Sequence, residues 1–183
     1  GLLGELLFLK DKVAPEFGWE SAIDFWKGPE EAPQDFAIYS TAIEVKCQSG
    51  GSKPTVKISS AEQLHPQLPE AYLVVYTLAS TDQKDPEGFN LNDMANHIRT
   101  ELEVLSDQAR ERFEDLLFMA GYITSEGYET FRFSKVAVRS FKIEEGFPRI
   151  PITAVPSGCE KVTYSLKIEA CAPFEKQPEW WRN

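Results

Sequence analysis

Histidine and cysteine are scarce in this chain: His65 and His97 are the two histidines, and Cys47, Cys159 and Cys171 the three cysteines, in 183 residues. No two cysteines form a C-x-x-C pair and the histidines lie far apart, so the ligand spacings of a structural zinc site are missing. The thiols read as small buried hydrophobes. Long apolar runs are lacking too, and none approaches the roughly 20 residues needed to cross a bilayer. The opening stretch 1–9 is apolar but carries Glu5, has no basic leader and has no small-residue cleavage site. It reads as a core helix rather than a signal peptide, which points to the cytoplasm. Positive charge is in deficit: 19 Lys and Arg face 29 Asp and Glu, leaving −10. That balance disfavours a broadly basic, phosphate-binding surface. It leaves room for a carboxylate-rich metal site with a local basic strip beside it.

What is present suits one folded domain spanning 1–183. Hydrophobic residues make up 42% and charged residues 26%, the composition of a chain that buries a core rather than a disordered one. The chain begins without Met inside an apolar segment, so a leading region that it does not contain is expected.

Leu2, Leu3, Leu6, Leu7, Leu9 and Val13 recur at helical spacing, which predicts a buried first helix ended by Pro15. Advancing about 100° per residue carries Glu5 toward the inside of that helix, where a carboxylate needs a partner. A short second helix is expected over 20–27, then a Gly/Pro loop. Two β-prone runs follow, 35–39 and 42–47, about a turn at Ser40 and Thr41. That turn would set Asp35 opposite Lys46 and diagonal to Glu44. Period-two alternation puts Glu44 and Lys46 on one face, with Ile43, Val45 and Cys47 on the other.

Beyond a Gly- and Ser-rich loop at 49–54, a short strand holds Lys57, and Ser60 is placed to cap a short helix through Leu64 with Gln63 exposed on it. The run 72–78, rich in Val and Tyr, suits a central strand covered on both faces. Helices are expected at about 91–105 and 106–120 with Gly121 as a stop, and strands at 131–143 and 162–170. The order predicts a mixed α/β sheet with helices packed on it.

Hydrolysis of a phosphodiester needs an activated water, stabilisation of charge on the phosphate, and neutralisation of the leaving oxygen. Mg2+ does much of this with one or two carboxylates and a carbonyl as protein ligands. Asp35 and Glu44 are the expected carboxylates and the Val45 carbonyl the third ligand. Lys46, one pleat on, is placed to orient the attacking water and hold the phosphate. Glu5 would bind a second metal or join through water. An acid followed by E-x-K is a weak signal alone, since solvated strands alternate charge. An apolar strand around it and an inward-leaning Glu5 before it strengthen the reading. Lys53 and Lys57 are candidate phosphate contacts, with Arg110 and Arg112 weaker ones that also suit a solvated helix of mixed sign. The segment 50–53, Gly-Gly-Ser-Lys, lacks the spacing of a P-loop.

Several strings together resemble one known family: Gly-Leu-Leu-Gly-Glu-Leu at 1–6, Trp-Lys-Gly-Pro at 26–29, Gln-Asp-Phe at 34–36, Ile-Glu-Val-Lys at 43–46, Ile-Ser-Ser-Ala-Glu-Gln-Leu at 58–64, Gly-Phe-Pro-Arg-Ile at 146–150, Tyr-Ser-Leu at 164–166 and Ala-Cys-Ala-Pro-Phe at 170–174. They look like a bacterial family of PD-(D/E)XK proteins, as its nuclease-like portion without the usual N-terminal region. The resemblance implies a restriction-endonuclease-like fold with an αβββαβ core. It also implies a Mg2+-dependent DNA endonuclease, with Mn2+ able to substitute, serving restriction or phage defence. Carried over, the motif falls on Glu5, Asp35, Glu44 and Lys46, and Gln63 sits where several nuclease subfamilies place a helical glutamine. Gln67 stands where one subfamily carries a tyrosine. DNA is the implied partner, with other defence proteins and a homodimer alongside, and no membrane. The competing reading is a non-catalytic scaffold that keeps the fold and binds proteins through exposed aromatics such as Trp180 and Trp181.

Overall fold

The structure, a computed structural model, describes residues 1–51 and 53–181; Ser52 of the expected Gly/Ser loop lies outside the described residues. Helix α1 (Leu2–Phe8) runs through a π-helical turn (Leu9–Val13) into α2 (Ala14–Phe17), and α3 (Trp19–Phe25) follows. The expected stop at Pro15 does not occur. The wide π turn restarts the hydrogen-bond ladder, so Pro15 falls in the first turn of the next α segment, where its missing N–H costs nothing. The break comes at Gly18, whose φ of 79° favours glycine.

Strands β1 (Phe36–Ile38), β2 (Thr41–Ser49) and β4 (Glu70–Thr81) share one sheet with β5 (Arg132–Lys142), in the order β1-β2-β4-β5. The β1/β2 and β4/β5 pairs are antiparallel and β2/β4 is parallel, so the sheet is mixed. Helices α4 (Leu91–Glu103) and α5 (Asp107–Met119) lie between β4 and β5 in the chain, and Gly121 follows α5 as expected. Helix, three sheet strands, helices and a further strand reproduce the expected αβββαβ order. A separate two-stranded ribbon joins β3 (Thr55–Ile58) to β6 (Tyr164–Lys167). β6 is shorter than the expected 162–170 strand, because the chain turns into a 3-10 helix from Ile168.

Alternation along the central strands divides the core. Ile43, Val45, Tyr72, Val74 and Tyr76 face the helices, while Ala42, Leu73 and Val75 face the β3–β6 ribbon. Both faces of β4 are therefore covered, which is why its sequence is apolar without a break in pattern. Trp180 and Trp181 are not free surface: both pack edge-on or tilted against Phe8, and Trp181 is buried. The large area of an indole favours this seat over solvent, so these two rings are withdrawn from the docking surface that the scaffold reading offered. Among the cysteines, Cys171 is buried and Cys47 half-buried, but Cys159 is exposed, contrary to the buried-thiol expectation; it sits in the irregular 155–162 loop, outside any packed element. Among the described residues no helix is long and apolar enough to cross a membrane.

Gly4 lets α1 lie close on β2. A methyl group there would sit 2.5 Å from Cys47 Sγ and 3.4 Å from Val45 Cγ1. Gly4→Ala is expected to destabilise the fold by about 1–3 kcal/mol through overpacking, read as a lower urea midpoint at unchanged slope.

Candidate active site

The β1–β2 connection sets the site's register. Ile38 pairs with Thr41, so the two-residue turn is Tyr39–Ser40, with Tyr39 at φ 52°, one residue earlier than the sequence suggested. Phe36 pairs with Ile43, and continuing the ladder by one step puts Asp35 level with Glu44 rather than Lys46. The partner changes by two residues, so Asp35 keeps its face of the sheet but moves from diagonal to Glu44 to directly beside it.

Asp35 is anchored by its own backbone. Its carbonyl accepts from the N–H groups of Lys27 and Gly28 at 2.7 and 2.9 Å, and its Oδ2 accepts from the Val45 N–H at 2.7 Å. A residue's N–H and C=O leave a strand on the same side, so the Val45 carbonyl faces the same gap, just beyond the end of β1.

Glu44 is 1% exposed, between Ala42 and Lys46 on the face that Leu73 and Val75 line. Lys46 Nζ lies 2.6 Å from Glu44 Oε1, an ion pair on one face as alternation predicts. The pair is poorly aligned as a hydrogen bond, and neither Glu44 oxygen has a well-directed donor. Burial first, and then the Asp35 charge, pushes the Glu44 carboxyl well above its usual range, against the pull of Lys46. Asp35 is pushed up to about 7, by burial first and then by the nearby Glu5 carboxylate, with the Val45 N–H and Lys46 opposing.

Glu5 does lean inward, and its partner is the indole of the fully buried Trp26, whose Nε1 donates to Oε2 at 2.9 Å. Gly28 makes the approach of Glu5 to Asp35 possible. A Cβ on Gly28 would lie 2.6 Å from Glu5 Oε2 and 3.1 Å from Asp35 Oδ1. Gln63 is half-buried rather than exposed, on a 3-10 turn (Ala61–Leu64) in which the Ser60 side chain makes no cap bond. Its Oε1 instead accepts from Lys46 Nζ at 3.1 Å and from the Ser59 N–H at 2.8 Å. The structure thus brings Glu5, Asp35, Glu44, Lys46 and Gln63 around the end of β1.

Lys53 and Lys57 are exposed and stand outside this cluster. Arg112 is paired with Glu30, and Arg110 with Asp107 at 3.6 Å, so both arginines are already matched by acids. Trp26 and Gly28 are parts of the site that the sequence reading treated only as helix and loop markers. A buried indole must place its N–H on some acceptor, and an inward Glu5 was the free one.

Residues 1–169 match the family described as "Putative PD-(D/E)XK family member (DUF4420)". The chain belongs to that family. Membership of this PD-(D/E)XK family points to a nuclease, and the mixed sheet with packed helices agrees with a restriction-endonuclease-like fold. No curated protein and no solved structure matches the chain.

The cluster's donors suit a hard divalent cation. They are oxygens, they repel one another, and those of Glu44 are buried without a directed donor. Among the described residues no three His, Cys, Asp or Glu side chains form a ready-made ligand set. Mg2+ does not require three, because it holds several waters and accepts two carboxylates and a carbonyl. Asp35, Glu44 and the Val45 carbonyl are the groups here that could hold such an ion, with Glu5 beside them and bonded to Trp26.

Proposed function

We propose that this chain is a Mg2+-dependent DNA endonuclease hydrolysing phosphodiester bonds, with residues 1–183 acting as one nuclease domain. The observation that carries the proposal is the crowding of Asp35 and Glu44 beside Glu5: burial and neighbouring carboxylates oppose the ionisation of Asp35 and Glu44, and Lys46 is the cationic side chain set against them. An acidic cluster held at such disadvantage is a feature of working sites, since a fold has no need of it for packing.

In this reading Asp35, Glu44 and the Val45 carbonyl hold the cation, which when bound supplies Lewis acidity to the phosphate and lowers the pKa of water. Glu5 takes a water-mediated place or holds a second cation. Lys46 would orient the attacking water and hold a phosphate oxygen. Gln63 sets the direction of the Lys46 ammonium, because Gln63 Oε1 is itself fixed by the Ser59 N–H. Lys53 and Lys57 hold DNA phosphates outside the cluster. The family resemblance adds a setting: bacterial restriction or phage defence in the cytoplasm, alongside other defence proteins, with a homodimer cutting both strands. Mn2+ is expected to replace Mg2+.

Calorimetric titration with Mg2+ or Mn2+ tests the site apart from turnover. The wild type should bind, and Asp35→Ala should weaken binding by at least about tenfold, the order of loss for a supporting ligand partner. No binding by the wild type, or equal binding by the variant, would favour a scaffold without metal chemistry.

A further inference from the structure

The β3–β6 ribbon has two unlike faces. Val56, Ile58, Tyr164 and Leu166 turn inward to the core behind the sheet. The outward positions are Thr55 and Lys57 on β3, with Lys167 and Ser165 directly across from them. The pairing continues one step further, where Thr163 Oγ1 donates to the Ser59 carbonyl at 3.2 Å. The outward row is therefore Thr55, Lys57, Ser59, Thr163, Ser165 and Lys167, all hydroxyls and ammonium groups with no carboxylate among them. That composition stands out in a chain of net charge −10. Among the described residues, neither Lys57 nor Lys167 has a carboxylate within ion-pair distance, whereas Arg99, Arg112, Arg139 and Lys142 are each matched by a glutamate.

The row also leads to the candidate site. Ser59 follows β3 directly, and its N–H and the Lys46 ammonium share the same Gln63 oxygen. A backbone laid along the ribbon would enter the carboxylate cluster at the Ser59 end.

We propose that the outer face of the β3–β6 ribbon is the track for the sugar–phosphate backbone of duplex DNA flanking the bond that is cut. Lysines and hydroxyl groups are the side chains that hold phosphates without reading sequence. The two ammonium groups neutralise two phosphates, and the Ser59 and Ser165 hydroxyls donate to the phosphate oxygens between them. The track rests on the nuclease reading for its substrate, but not for its surface chemistry. It adds a second strand, contributed by residues more than a hundred positions further along the chain, to the lysines the sequence pointed to. A ribbon with an unreactive hydroxyl row suits backbone positioning, so base recognition falls to other parts of the protein.

The test is fluorescence anisotropy with a short fluorescein-labelled duplex of mixed sequence across a salt series, run beside a plasmid-cleavage assay. Lys57→Ala/Lys167→Ala should make the log–log salt dependence shallower by about 2 and weaken binding about tenfold. Ser165→Glu should weaken binding without removing a cation, and Lys84→Ala, an exposed lysine elsewhere, should leave the slope unchanged. In cleavage, the double variant should raise KM with kcat retained. An unchanged slope and KM in the double variant would overturn the track even if plasmid is cut, as would a wild type that does not bind the duplex. Ribbon-dependent binding without any cleavage would uphold the track and count against the nuclease reading alone.

Discussion

Lys46→Ala is expected to abolish plasmid cleavage, lowering the rate by at least about 10³-fold at saturating Mg2+, with circular dichroism unchanged. The Lys46 ammonium is the cationic side chain of the cluster, 2.6 Å from Glu44 Oε1 and 3.1 Å from Gln63 Oε1, set against the carboxyl groups of Glu5, Asp35 and Glu44. Removing it takes away the group that orients water and balances charge on the phosphate, while leaving Asp35 and the Val45 carbonyl in place. Lys46→Arg is the sharper control. It keeps the charge, but its guanidinium stays protonated and presents a planar fork where a compact ammonium sat, so activity should remain low. The assay must include the cation, because without it Lys46→Ala leaves the Glu44 carboxyl buried without an opposing charge, at a cost of about 3–5 kcal/mol if it stays ionised. Cleavage by Lys46→Ala at the wild-type rate would remove the lysine from the mechanism.

The second large effect is on stability, in metal-free protein. Asp35 has its folded pKa raised from 3.8 to about 7. For a raised carboxyl, the contribution to stability is fully present below the unfolded value and is lost as pH climbs through the folded one. Between these limits the folded chain holds a proton that the unfolded chain has released, so stability falls with pH across the window from about 4 to about 7. Glu44 is shifted in the same direction and deepens the loss. The expected decline from Asp35 is about 2–4 kcal/mol. Asp35→Asn should remove the Asp35 share of the decline and leave a smaller one from Glu44, since an amide oxygen can still accept the Val45 N–H while carrying no charge. Mg2+ added above the window should restore stability to the wild type and not to the variant. Urea melts of the metal-free protein at a series of pH values measure all three. A metal-free wild type that gains stability with rising pH would contradict the proposed crowding.

These two results depend on features that differ in how openly the sequence declares them. Asp35, Glu44 and Lys46 lie within a dozen residues, and the alternation of a strand is a local steric property, so Glu44 and Lys46 could be placed on one face from the pattern alone. The hairpin itself was equally legible, but its register was not. Moving the turn from Ser40–Thr41 to Tyr39–Ser40 depended on Tyr39 accepting a left-handed conformation, which its residue type does not advertise. Pro15 misled in a similar way, because the π turn before it absorbs what would otherwise end the helix. Gln63 was placed correctly on a short helical turn, yet its contact with Lys46 depends on how the segment after β3 folds back over the sheet.

The sequence alone carried the family resemblance through its matching strings, and it determined the order of helices and strands and the acid–acid–lysine pattern of the first hairpin, because the latter two rest on periodicity and short-range sterics. Only the tertiary structure decided that Trp26 holds Glu5, that Gly28 leaves room for Asp35 beside it, that Trp181 is buried against Phe8, and that β3 finds its partner in β6. Each of those contacts joins segments whose own local patterns are satisfied with or without the other. Their meeting is settled by which apolar faces the whole chain can bury at once, a condition that no short stretch of residues carries by itself.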